Sequence, residues 1–472
     1  MSINGVQRGT QCRLLFVQIV FIFFLLSPMS TRTEHGSGIK HHNYNKIRGH
    51  KSHNQYPNHD SSTSPGYNSY QPYNTIFDVL SFGAKGDGVA DDSKAFLAAW
   101  AAACIVETAT VEIPSEFRFL IGPITLGGPC KPGLILQVDG MIVAPSEPSA
   151  WPNPGLLQWI NFKKLHGFII QGSGVIDGKG SAWWTMPNQP TRSNSSKNYP
   201  KVKPTAVRFY SSVNLTVRDI RIQNSPLCHL KFDNCVGVKV SNLTILAPGD
   251  SPNTDGVHLQ GSQAVEVEHS SISCGDDCIS IQTGCSDVSI HHIRCGPGHG
   301  ISIGGLGKDG SLACVSNILV QNSSMQDTLY GVRIKTWQGG VGSVGSVMFS
   351  NIQVSNVKVP IMIDQFYCDK SVCHNKTNAV AVSNITYDQI NGTYGTQAIH
   401  LACSDSLPCT NISVGNVLLA PSTTARGLKN ALCWNSYGKS QAPVLPTSID
   451  CLQISNPPYK KAISLNRTHF TC

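Results

Sequence analysis

NLTVRDIRI (214–222), GVKVSNLTI (237–245), AVEVEHSSI (264–272) and DVSIHHIRC (287–295) open a series. NILVQNSSM (317–325), SVMFSNIQV (346–354), AVAVSNITY (379–387) and NISVGNVLL (411–419) continue it. Apolar and polar residues alternate within each stretch, the period of a half-buried strand rather than of a helix. One equivalent apolar residue from each gives Val217, Val240, Val267, Ile290, Val320, Phe349, Val382 and Val414, separated by 23, 27, 23, 30, 29, 33 and 32 residues. Short strands at such loose spacing, with Asn and Gly between them, are the mark of a solenoid. Each repeat buries its apolar face only by stacking on the next, so the pattern predicts an all-β parallel β-helix. A propeller would need four strands per repeat, which these stretches lack.

Upstream, TIFDVLSFGAKGDGVADDSKAFLAAWAAAC (75–104) holds the one substantial helical pattern. Asp91 or Asp92 can cap a helix through Phe96, Leu97 and Trp100, placed over the open end of the coils. The repeats and this short N-terminal capping helix make residues 75–472 one domain. Residues 31–74 are rich in His, Asn, Ser, Tyr and Pro and hold six of the 16 histidines. With so few aliphatic residues the segment cannot offset its ordering entropy, and it reads as disordered, a propeptide or tether. Residues 1–30 read as a signal peptide. Arg8 and Arg13 precede a run from Leu14 to Leu26 that is apolar except for Gln18, and Ser27 and Ser30 follow. Thirteen residues are too few for a membrane span of about 20. The chain is therefore expected to be secreted and extracellular.

Charge and cysteine content agree. Of the net +8, residues 1–30 carry +2 and residues 31–74 carry +3, which leaves +3 for the remainder. A body so nearly neutral argues against nucleic acid as partner. Of 17 cysteines, Cys12 lies in the leader and 16 remain, an even number that suits an oxidising compartment. The spacings Cys368/Cys373 and Cys403/Cys409 suit local bridges, and no paired CxxC set suggests zinc. Nine Asn-x-Ser/Thr sequons, from Asn194 to Asn466, fit the same route.

A second strand can be aligned in consecutive coils: TDGVHLQ (254–260), DDCISIQ (276–282), GHGISIG (298–304) and LYGVRIK (329–335). The alignment puts Asp255, Asp277, His299 and Tyr330 in one column, one coil apart, hence about 4.8 Å between neighbours. Val257, Ile279, Ile301 and Val332 point inward by parity, as do Leu259, Ile281, Ile303 and Ile334. Arg333 and Lys335 then share the outer face with His258, Gln260 and Gln282, and Asp276 has the same parity. Asp255 and Asp277 would point inward by strict alternation. Charges in an apolar core are costly, so these two belong to the turn entering the strand. Three carboxylates, an imidazole and two cations then meet on one face. Crowding keeps one carboxyl protonated to donate to a leaving oxygen, and the others can activate water. The cations would bind a substrate carboxylate. That constellation predicts general acid–base hydrolysis of an acidic polysaccharide, without cofactor. Calcium is the rival occupant of clustered carboxylates, opposed by His299 and the two cations. Asp78, Asp87 and Asp287 read as turn residues, His258 as a surface neighbour, and His291 and His292 as ordinary strand residues.

At these residues the chain resembles plant polygalacturonases, glycoside hydrolase family 28. The matching motifs are Asn253-Thr254-Asp255, Gly275-Asp276-Asp277, Gly298-His299-Gly300 and Arg333-Ile334-Lys335, in that order, with FGAKGDGVADDSKAF similar to the family's opening. The resemblance spans roughly residues 75–430. It implies a right-handed β-helix that hydrolyses α-1,4-linked galacturonan of pectin with inversion, which leaves about 6.5–9.5 Å between acid and base carboxyls for a water. It implies Asp276 as general acid, Asp255 and Asp277 as activators of the water, and His299 as support of the acid. It further implies substrate contacts from Asn253, Arg333, Lys335 and Tyr367, and a bridge between Cys278 and Cys295. Polygalacturonate would be the partner of a monomeric enzyme of the cell wall. A calcium-dependent pectate-lyase-like β-helix, a hydrolase of decorated galacturonan and a non-catalytic wall protein are the alternatives.

Overall fold

The computed structural model of the chain describes residues 75–151, 158–186 and 202–472, apart from 370, 371, 374, 377, 448, 450, 451 and 453–471. The expected signal peptide, the His-rich segment and the sequons at Asn194 and Asn466 lie outside these residues.

The strands wind into a right-handed parallel β-helix, the hand that parallel crossovers favour. One coil consists of the strands Val257–Gln260, Gln263–Glu268 and Ser271–Ser273; the next consists of Ile279–Ile281, Cys285–His291 and Arg294–Cys295. The first strand of each coil joins an 11-stranded sheet that runs from Ile124–Gly127 to Leu432–Trp434. The other two belong to a continuous 21-stranded sheet that bends around the remaining sides.

Register carries the packing. Val257, Ile279, Ile301 and Val332 pair in sequence, as do Leu259, Ile281, Ile303 and Ile334, and all eight are fully buried. Phe162, Phe209 and Phe232 continue the second column toward the N-terminus as a stack, with centroids 4.9 and 5.1 Å apart. Each such side chain contributes about 1.5–3 kcal/mol of transfer free energy, so the alternation read from sequence is the principal adhesive of the fold.

The series of equivalent residues is confirmed up to Phe349 and then corrected. Phe349 pairs with Tyr387, not Val382, and Tyr387 pairs with Val414; Val382 pairs with Val344 in another inward column. Asn384 adopts φ 57° between them. This left-handed residue breaks the alternation, so Val382 and Tyr387 both face inward although they are an odd number of residues apart. Tyr387 stacks on Phe349 at 5.2 Å.

The capping helix runs from Ser93 to Cys104 and buries Ala95, Phe96, Ala99, Trp100 and Ala103. Both acids at its start are used, in different ways. Asp91 accepts from the Ser93 N–H, whereas the Asp92 carboxylate turns back to the Lys85 and Gly86 N–H groups. Leu97, on the same helix, is exposed. A Cys104–Cys130 bridge fastens the helix end. The expected bridges Cys368–Cys373 and Cys403–Cys409 are present, with Cys278–Cys295 and Cys314–Cys472. Cys228, Cys235, Cys274 and Cys285 are buried free thiols.

Candidate active site

The inferred column exists. Asp255 and Asp277 each lie two residues before their strand, in the entering turn, as the burial argument required. Two glycines make that turn possible. A Cβ on Gly275 would lie 1.8 Å from the Ser251 carbonyl oxygen, and one on Gly300 (φ 81°) would lie 2.2 Å from the oxygens of Tyr330 and Gly331. The glycines of the two motifs are thus the places where adjacent coils touch. The Cys278–Cys295 bridge ties the turn to the next coil.

Each carboxylate has its own surroundings. Asp276 is held from three directions: Asn253 Nδ2 donates to Oδ2 (3.2 Å), the Asp277 N–H donates to Oδ1 (2.9 Å), and His299 Nδ1 lies 3.0 Å from Oδ1. The His299 N–H also donates to the Asp276 carbonyl at 2.7 Å, so ring and backbone clamp the same residue. Asp277 is almost fully buried. Lys335 Nζ donates to one of its oxygens and Arg333 to the other, both at 2.8 Å, and Ser302 Oγ adds a third bond at 2.7 Å. Burial alone would raise the Asp277 carboxyl, but Lys335 and Arg333 more than reverse this and hold it at about 2. Asp255 moves the opposite way. Burial, with the charges of Asp276 and Asp277, pushes its carboxyl up, opposed by His258 Nδ1 at 3.0 Å from Oδ2. Neighbouring carboxyls driven apart in this way can take different parts in proton transfer.

Arg333 and Lys335 face the site, but they are themselves buried, at 5 % and 7 % exposure. Their first partner is Asp277. Arg has five donors and Lys three, so part of each side chain's donor capacity is committed to Asp277. The Arg333 guanidinium also sits 4.0 Å from the centre of the Tyr330 ring, the fourth member of the column. Tyr367 lies beside Lys335, whose Nζ is 5.3 Å from its ring centre, and it packs edge-on against Trp337. Asn253 is exposed next to Asp276. All eight residues singled out from the sequence therefore fall on this one face.

Sequence reasoning passed over two contributors. Ser302 joins Asp277 to Arg333, whose Nε donates to its Oγ at 3.0 Å; its outward parity in GHGISIG was a usable signal. His229 is completely buried behind Asp255. The Ser225 N–H donates to its Nε2, so Nδ1 carries the proton and donates to the Asp255 carbonyl at 3.0 Å. Burial lowers this imidazole to about 4. His258, read as a surface neighbour, is the direct partner of Asp255.

Fold and site together define a parallel β-helix with a carboxylate-centred face across its first sheet. The family model of glycosyl hydrolases family 28 matches residues 104–437, and the chain belongs to that family and is a glycoside hydrolase. It is 41% identical to a probable polygalacturonase of Arabidopsis thaliana over 79% of this chain and 83% of the relative. It is 44% identical to a polygalacturonase of Persea americana over 73% of this chain and 74% of the relative. An endo-xylogalacturonan hydrolase from Aspergillus tubingensis shares the fold, with a TM-score of 0.64 and 22% identity over 78% of this chain and the whole of the other. Among the described residues no helix is long and apolar enough to cross a membrane.

Proposed function

We propose that the chain is a secreted, monomeric polygalacturonase that hydrolyses α-1,4-galacturonosidic bonds of pectin with inversion. The observation that carries the roles is the contrast among the three aspartates. Asp276 has the most exposed side chain of the three, at 18 % against 12 % for Asp255 and 3 % for Asp277, and its side-chain partners are Asn253 and His299, neither Lys nor Arg. It is the general acid. Asp277 stays ionised between Lys335 and Arg333 and accepts hydrogen bonds only; it orients the water. Asp255, raised and on the adjacent coil, is the stronger base and takes the water's proton. After cleavage Asp276 is the carboxylate and Asp255 the acid, and exchange with solvent resets both. The remaining donors of Arg333 and Lys335, with Asn253 and Tyr367, hold galacturonate. A calcium-dependent lyase is disfavoured because both oxygens of Asp277 are already taken by cations.

Proton NMR of the first product tests the stereochemistry. Inversion releases the β-anomer of the new reducing end before mutarotation. An α-anomer appearing first would overturn the water-side roles of Asp255 and Asp277.

A further inference from the structure

Away from the sheet that carries the site, the coils turn a corner at a fixed register. The corner residues are Asp219, Asn242, His269, His292, Asn322 and Asn351, aligned by the strand pairings that precede them. Their φ values are 66°, 52°, 48°, 56°, 50° and 50°. Asn and Asp tolerate this left-handed conformation best among residues with a Cβ, and four of the six rungs use them. They also bond along the ladder, Asn242 to Asp219 at 2.9 Å and Asn351 to Asn322 at 2.8 Å. Histidines interrupt the ladder at two consecutive rungs, a local preference broken twice in the same place.

The histidines converge. The rings of His269 and His292 stack at 4.6 Å and 4°. His291, in the adjacent position, brings its Nδ1 to 3.0 Å from Nδ1 of His292. One nitrogen from each of the three rings lies within 4.8 Å of the others. Two nitrogens bound to one zinc at about 2.0–2.1 Å and tetrahedral angles would stand roughly 3.3 Å apart, and because each lone pair lies in its ring plane, binding would turn the exposed His269 ring out of the stack. Carboxylates back two of the rings. Glu266 Oε1 lies 3.3 Å from His291 Nε2, and Glu268 Oε2 lies 3.2 Å from His269 Nδ1. A carboxylate on one ring nitrogen fixes the tautomer and frees the other as a ligand, the arrangement found behind metal-bound histidines.

We propose that His269, His291 and His292 form a binding site for a divalent transition-metal ion of the zinc and copper class, separate from the catalytic face. Imidazole ligands select such ions over calcium and magnesium, which take oxygen. Lys239, 3.2 Å from Glu266, is the competing cation, and Arg294 lines the same recess. The ion would clip two coils together just before the chain runs through Ser271–Ser273 into the turn holding Asp276 and Asp277.

The test compares the full chain with its His269→Asn/His292→Asn variant, which restores the residue used at neighbouring rungs. Zinc chloride and copper sulfate are titrated by calorimetry at neutral pH, with calcium chloride as control. Histidines of residues 31–74 are present in both proteins, so the difference is the readout. The wild type should take one more zinc equivalent per chain, at least tenfold tighter than the variant's remaining sites. Zinc should also raise its melting temperature by several degrees more, and calcium should do neither. Equal stoichiometry and equal thermal shifts in the two proteins would overturn the proposal. If the double variant does not fold, His291→Asn alone decides by the same two readouts.

Discussion

Asp277, Lys335 and Arg333 form a buried triad whose energetics can be worked from its geometry. Each cation stands 2.8 Å from one carboxylate oxygen. At an effective dielectric of about 20 each pair is worth about 6 kcal/mol of Coulomb energy, largely offset by the desolvation of three charges. Removing Asp277, the triad's anion, leaves two buried cations uncompensated and costs about 3–5 kcal/mol. Asp277→Asn should therefore destabilise the fold by that amount, because two cations lose their anion. Lys335→Met should cost less, about 1–3 kcal/mol, because Arg333 and Asp277 remain as a neutral pair and one charged hydrogen bond to the buried carboxylate is lost. The double variant removes one charge of each sign. Its loss should fall short of the sum by about 1–3 kcal/mol. Guanidinium unfolding at pH 7 with disulfides intact, followed by tryptophan fluorescence, measures all three. Single losses below about 1 kcal/mol, or additivity within about 0.5 kcal/mol, would refute the reasoning. The sign with pH follows. The carboxyl lies at about 2 in the fold against 3.8 ordinarily, so its stabilisation is present above pH 3.8 and is lost as pH falls toward 2. At about 1.4 kcal/mol per unit this is about 2–3 kcal/mol, and Lys335→Met should reduce it, with Arg333 and Ser302 still in place.

Three further outcomes are expected. Asp276→Asn should lower kcat by at least about 100-fold, the lower range for a general acid, with an unchanged melting temperature; near-normal turnover would remove the acid assignment. His229 is neutral and buried, lowered to about 4 from 6.5, so the unfolded chain binds the extra proton between these values. Stability should fall by about 3 kcal/mol as pH drops from 6.5 to 4, and His229→Gln should flatten that slope in unfolding curves taken across the range. Cys295→Ser opens the 17-residue Cys278–Cys295 loop; it should cost about 3 kcal/mol and reduce kcat by loosening the turn of Asp276 and Asp277, measured by melting and by turnover.

Much of this was legible in the sequence, for identifiable reasons. Parallel coils convert a sequence interval into a lateral contact, so the alternation of VHL, ISI, ISI and VRI fixed the register of the sheet before any coordinates. Asp255 and Asp277 could be assigned to turns because the alternative, two charges in an aliphatic core, is prohibitive. Three features were not readable. The slip from Val382 to Tyr387 depends on a single left-handed residue, Asn384, that no periodicity reveals. The commitment of Arg333 and Lys335 to Asp277 depends on side-chain reach, since parity gives only the face. His229 sits in the turn just before the strand Leu230–Asp233, and its role becomes apparent only when the neighbouring coil presents the Asp255 carbonyl. His291 and His292 were likewise read as ordinary strand residues, because a corner's ladder position is a property of stacked coils rather than of one segment.

The most direct test of hydrolysis on polygalacturonate measures new reducing ends and the ultraviolet absorbance of unsaturated uronides in one reaction, with and without EDTA. Hydrolysis by the three aspartates predicts reducing ends without absorbance, unaffected by EDTA. Absorbance that grows with the reducing ends and vanishes with EDTA would mean β-elimination, and would contradict the roles assigned to Asp255, Asp276 and Asp277.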